Sequence, residues 1–266
     1  LISTSATVIF FSIPYILNTA LPYYIKRRKF LKETKKIDIP TRESNKYKKF
    51  AIKAGIPLSI AGVSTVIYVK TSQIILATNL GVYEVGVYNA ASTIGQGWSL
   101  IPLVFSTVVF AKLFTLRNER VKRLGFCFLS VFIGFFAFFI AVVVSSNSSY
   151  IVQYTYGLEF LHASEIIPYL SFAAVWSIVG NISNRIIVHY SGYRYLMYKT
   201  CFAAIFNLLI SFFLIREHGL KGAALSILIT EFTSATVLGF FFKRGILLKI
   251  YLEPLNYLRE KLRNAS

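Results

Sequence analysis

The sequence predicts an all-α integral membrane protein with seven transmembrane helices, and three observations point to it. Composition is the first: 55% of the 266 residues are hydrophobic and 15% are charged, with a mean hydropathy of +0.60. Soluble domains carry about 25% charged residues. The second is a recurrence of uncharged runs, each near the ~20 residues that a helix needs to cross a bilayer. The third is where the cations fall. Segments 26–53, 112–123, 185–199 and 243–266 hold 12, 5, 3 and 6 Lys/Arg, which is 26 of the 29. These segments alternate with connections that hold only Lys70, Arg216 and Lys221. By the positive-inside rule the cation-rich side is cytoplasmic, so the chain begins outside and its C-terminus lies inside. The net charge of +18 is then an orientation signal and a contact with anionic membrane lipid, not a nucleic-acid surface.

The spans are expected at 1–25, 51–70, 85–111, 123–145, 165–189, 197–215 and 219–243. The first carries no charge; Pro14 is a candidate kink, and Tyr23 and Tyr24 suit an interfacial aromatic belt. The chain starts inside this apolar run, at Leu1 and without a charged leader, which suggests that the front of a longer protein is missing. Residues 26–50 hold 11 Lys/Arg and three acids and read as a basic cytoplasmic linker. Pro57 and Gly62 are candidate irregularities in the second span. The third is unusual. From Val85 to Ala111 it has no charged residue, yet Asn89, Ser92, Gln96 and Ser99 recur every three or four positions and share one helix face. Gly86 with Ala90, and Ala91 with Gly95, are small pairs that let helices approach closely in lipid. The fourth span is apolar on every side and is expected to face lipid over much of its surface. The fifth places Ser177, Asn181, Asn184 and Arg185 on one face, the sixth carries Asn207 and Ser211, and the seventh holds Glu231 near its middle. After Lys243, apolar residues at helical spacing mixed with Lys249, Arg259 and Lys261 predict an amphipathic helix on the inner surface, with Pro254 as a candidate break. Cys127 and Cys201 lie in apolar runs with no ligand-spaced partner and are read as packing residues.

A set of short motifs carries a resemblance. Gln73-Ile74-Ile75-Leu76, Gly81, Glu84-Val85-Gly86-Val87-Tyr88, Ala90-Ala91, Trp98 and Ile101-Pro102, followed late in the chain by Asn207, His218-Gly219-Leu220 and Gly222-Ala223-Ala224, resemble O-antigen (Wzx-type) flippases of the multidrug/oligosaccharidyl-lipid/polysaccharide exporter superfamily. The resemblance implies two six-helix bundles around a central cavity, about 12 spans in all. Residues 1–25 would then be the last helix of the first bundle, 26–50 the linker, 51–243 the second bundle and 244–266 a basic amphipathic tail. It also implies a place in the bacterial inner membrane and an undecaprenyl-pyrophosphate-linked oligosaccharide as substrate, moved between leaflets with no bond made or broken. A polysaccharide polymerase and a chain-length regulator are the implied protein partners; no cofactor, metal or nucleic acid is implied. In one respect the sequence departs from the pattern. Many relatives carry an acid just before Gln73, where this chain has Ser72 with Lys70 nearby, which weakens the transfer of a family carboxylate.

Such a substrate needs cations for its pyrophosphate and amides or hydroxyls for its sugars. Arg185 is the strongest cation candidate, because a guanidinium binds phosphate through a planar fork of donors; its other reading is an interfacial anchor. Asn181, Asn184, Asn89, Ser92, Gln96, Lys70 and Gln73 are further candidates to line the cavity, the amides and hydroxyls among them being equally suited to bonds between helices. Glu231 costs about 2.5–3.5 kcal/mol at mid-span and must face protein or water. It is a coupling-ion candidate, or else a neutral acid bonded to a neighbouring helix. No enzyme is expected: a polymerase or ligase would need a large outer loop with catalytic residues, and the longest outer segment, about 145–163, has one acid and one His. A multidrug or cation antiporter of the same superfamily is the alternative within transport.

Overall fold

The computed structural model describes Tyr24 and residues 41–263. Apart from Tyr24, the expected first span and the linker up to residue 40 lie outside the described residues. The chain divides into two compact units, 1–53 and 54–266, and the packing below belongs to the second. Among the described residues all regular structure is helical. Five stretches are long and apolar enough to cross a membrane: Asn45–Leu80, Val82–Phe114, Glu119–Ser146, Ile167–His189 and Tyr193–Phe240. The chain is an all-α membrane protein.

Helix α1 (Thr41–Leu80) runs through Pro57 without a break and continues ten residues past the expected end at 70. The extension is stable because its polar side chains find partners. Thr71 donates to the Ile67 carbonyl at 2.8 Å, and the Ser72 hydroxyl lies 3.2 Å from that of Ser211. Helices α2 (Val82–Gly97) and α3 (Leu100–Phe114) together make up the single span expected over 85–111, and the residues between them, Trp98 and Ser99, keep helical backbone angles. Pro102 explains the tightened turn between them. It has no N–H to offer the Trp98 carbonyl, which accepts instead from Ile101 N at 3.3 Å, while Ser99 N donates to Gln96 at 3.0 Å. Both bonds skip three residues instead of four, which tightens the turn.

Asn118 caps α4 (Glu119–Ser146), its side chain accepting from the backbone N–H of Arg120 and Val121. Phe126, Leu129, Ile133, Ala137 and Ala141 are buried along one stripe, while Phe128, Phe132, Phe135 and Phe139 stay exposed, as a lipid-facing helix requires. Short helix α5 (Ser148–Tyr156) and a 3-10 turn (Leu158–Glu165) follow. In that turn Glu165 pairs with Lys221 at 2.9 Å and with His162 at 3.2 Å. The hydrogen bond from Lys221 holds the Glu165 carboxyl below the ordinary carboxylate range.

Helix α6 (Ile167–His189) is the centre of the unit. Over half of its apolar window is buried, more than in any other span. Between helices in lipid there is no hydrophobic drive, so close packing decides association. Ala90, Ala91 and Gly95 of α2 are buried, and a Cβ on Gly95 would come within 2.9 Å of Leu170 on α6. Gly86, expected to share this role, faces open space.

Helix α7 (Tyr193–Ala235) contains both of the last two expected spans. Gly219, at φ 57° and ψ −127°, breaks it into limbs 193–218 and 220–235. The limbs fold back on each other, since Asn207 donates to Thr230 at 3.0 Å across 23 residues. At Gly222 a Cβ would sit 1.9 Å from the Leu214 carbonyl oxygen, so only glycine fits the hairpin. After α8 (Val237–Phe240) and a turn at Phe242–Arg244, helix α9 (Ile246–Arg263) continues through Pro254 unbroken. Part of its apolar stripe meets protein: Leu247 and Ile250 are buried in the core that includes Phe126 and Leu129, and the Tyr251 carbonyl accepts from Cys127 Sγ at 3.6 Å.

Candidate functional site

The sequence-predicted site residues fall into three places. The first is a cavity of about 170 Å³ between α1, α2, α6 and α7. Gln96 and Ser99 enter it from α2 and its end, Ser177, Asn181 and Asn184 from α6, and Glu231 from the second limb of α7. The α6 residues share it because positions three or four apart lie on one helix face. Tyr68 of α1, not foreseen as a site residue, donates to Glu231 Oε1 at 2.6 Å, and both side chains are buried. That bond offsets part of the cost of placing the acid in the span.

The second place is a wider mouth of about 600 Å³ that shares Asn181 and Asn184 with the cavity. Arg185, His189 and Tyr193 line it, with Phe114, Val188 and Leu196 as its apolar walls. Arg185 donates to Thr107 Oγ1 at 2.7 Å, a single bond from a group with five N–H donors. The His189 ring stacks on Phe114 with centroids 4.6 Å apart.

Lys199 lies behind the mouth. It was counted among the cytoplasmic-side cations, yet it is 3% exposed, and its ammonium donates to Asn184 Oδ1 at 2.8 Å. Lys199 and Glu231 are near enough to attract each other electrostatically. The available signal was spacing: Lys199, Ala203, Asn207 and Ser211 recur every four residues and face inward together.

The third place is separate. Lys70 donates to Gln73 at 3.0 Å and Gln73 to Asn89 at 2.8 Å, a chain on an exposed face of α1 and α2. Ser92 is half-buried and lines neither the cavity nor the mouth. A further polar group, Ser72, Asn207, Ser211, Ser226 and Thr230, is fully bonded within itself and buried where α1 meets both limbs of α7. Among the described residues no group of His, Cys, Asp and Glu could hold a metal.

Helices of spanning length that enclose amides, a carboxylate and two cations define a multi-span membrane protein with a hydrophilic recess inside its helix bundle. Comparison with known proteins adds one relative. The chain is 28% identical over 194 residues to the capsular polysaccharide biosynthesis protein CapF of Staphylococcus aureus, an alignment covering 71% of this chain and 48% of that protein. The chain thus spans about half the length of the curated relative it matches. No family model matches the chain, and no solved structure matches it.

Proposed function

We propose that the protein serves surface-polysaccharide biosynthesis by translocating lipid-linked oligosaccharide repeat units, carried on undecaprenyl pyrophosphate, across the bacterial inner membrane. The observation that carries this reading is the recess itself. Arg185, Asn181 and Asn184 form a cationic, amide-bearing mouth that opens beside an inner cavity, within helices whose outer faces are apolar. A headgroup of pyrophosphate and sugars needs that chemistry while its lipid tail stays in the bilayer. The similarity to a capsular polysaccharide biosynthesis protein supports the same class of process. In this reading Arg185 receives the pyrophosphate through its planar fork, the amides receive sugar hydroxyls, and exchange between states open to each side moves the headgroup. No covalent step is involved, so the protein acts as a transporter and not as an enzyme. The C-terminus is cytoplasmic, and a polymerase and chain-length regulator act next on the delivered repeats. A cation antiporter is the second reading, favoured by the Glu231 carboxylate in the cavity and opposed by the Lys199 ammonium beside it.

The test is to delete the gene in the source bacterium and locate the lipid-linked repeats by leaflet. Accumulation of complete repeats on the cytoplasmic side, with loss of long surface polymer, is the expected result. Repeats that reach the outer leaflet without being polymerised would point to an enzyme instead.

A further inference from the structure

Lys199 is a buried cation that the reading of the mouth did not use. Its neighbours on α7 place its stem between the two openings: Leu196 lines the mouth, and Thr200 and Ala203 line the inner cavity. An ammonium has three donors, and one is committed, to Asn184 Oδ1 at 2.8 Å. Asn184 lines both the mouth and the cavity, so Lys199 stands one side chain behind the surface that Arg185 presents. Glu231 lines the inner cavity together with Asn184, Thr200 and Ala203; it attracts the ammonium without a contact ion pair and is itself bonded to Tyr68 at 2.6 Å and to Ser177. The ammonium sits on a flexible four-carbon stem that can swing.

We propose that Lys199 is a second anion-binding cation of the mouth, held back by Asn184 and Glu231 and recruited when a pyrophosphate settles against Arg185. This inference rests on the flippase reading. It makes the carboxylate a competitor of the substrate, because both draw on the same ammonium. It also links occupancy of the mouth to helix packing: once Lys199 has swung outward, Glu231 leans on Tyr68 and Ser177, which tie the second limb of α7 to α1 and α6. Ligand binding and helix arrangement are then coupled reciprocally.

The competition has a sign that a purely structural pair would not show. The full-length protein in detergent is titrated with farnesyl pyrophosphate, with farnesol as the uncharged control. Glu231→Gln releases Lys199 and is expected to tighten binding of the pyrophosphate by roughly fivefold, the lower end of ordinary coupling between sites. Lys199→Met weakens it by a similar factor, Lys199→Arg retains it, and Lys199→Met/Glu231→Gln is as weak as Lys199→Met. Tyr68→Phe, which leaves the mouth untouched and takes one hydrogen bond from Glu231 so that it draws more on Lys199, weakens binding and supplies the same test should Glu231→Gln fold poorly. Unchanged or weaker binding in Glu231→Gln, or unchanged or tighter binding in Tyr68→Phe, with the wild type still preferring the pyrophosphate, overturns the inference alone. A wild type that holds farnesol as tightly as farnesyl pyrophosphate overturns the flippase reading and takes the inference with it.

Discussion

Two polar clusters lie inside the same helix bundle and behave differently. In the first, Ser72, Asn207, Ser211, Ser226 and Thr230 bond to one another where α1 meets the two limbs of α7, and each is at most 1% exposed. In the second, Gln96, Asn181, Asn184 and Glu231 line a cavity, with Lys199 behind them and Arg185 at the mouth. Both would look alike as polar residues in apolar helices. The difference is what remains unbonded. The first cluster is neutral and satisfied, so it joins helices and has nothing left to offer a ligand. The second keeps charges and spare donors next to a cavity, so it can exchange partners. Polarity within a span is therefore weak evidence for a site, and unspent donors beside a void are stronger evidence.

That contrast can be broken or sharpened by substitution. The largest effect is expected at Gly222, beside the satisfied cluster. Its Cβ position lies 1.9 Å from the Leu214 carbonyl, so Gly222→Val should prevent the hairpin from closing. Yield of folded protein after detergent extraction reads this directly, and normal yield would refute the tight-hairpin account. Next is the mouth. Arg185→Ala should impair translocation more than Arg185→Lys does, with both variants folded; wild-type activity in both would reduce Arg185 to an anchor. Third, Asn207→Leu should lower stability by about 0.6–1.7 kcal/mol, the range for side-chain hydrogen bonds between membrane helices. Thermal unfolding in detergent measures it, and transport per folded molecule should stay the same. The smallest effect is at the exposed Glu165–Lys221 pair. Glu165 has a lowered carboxyl pKa in the folded state, so its contribution is present above the unfolded-state value and is lost as pH falls through the folded one. Being solvent-exposed, the pair should contribute little. A Glu165→Gln variant should show a slightly flatter melting temperature across acid pH than the wild type, and an identical pH profile would remove the pair from the account.

Much of this was legible in residue order. Charge-free runs marked the membrane helices, and Gly219 fell where the structure turns the chain back. Spacing on one face placed Asn181, Asn184 and Arg185 together at the mouth. Other features were hidden for physical reasons. The tightened turn at Trp98–Ser99 has no mark in the charge pattern, and only the missing N–H of Pro102 signals it. By position Lys199 counts among the cytoplasmic-side cations at a span end, and its inward face follows only from its register with Asn207 and Ser211. Tyr68 was overlooked because an aromatic in a span reads as packing until a carboxylate is found 2.6 Å from its hydroxyl. Conversely, Asn89 and Gln96, which share a helix face, part company once α1 supplies Gln73 as a partner to one and leaves the other at the cavity.

The most direct measurement is leaflet exchange of a labelled undecaprenyl-pyrophosphate oligosaccharide in vesicles holding the full-length protein, comparing Arg185→Ala with Asn207→Leu at equal amounts of folded protein. The account predicts that Arg185→Ala slows exchange strongly while Asn207→Leu exchanges at the wild-type rate. Wild-type exchange in Arg185→Ala, with loss in Asn207→Leu, would contradict it and move the site to the cluster assigned here to packing.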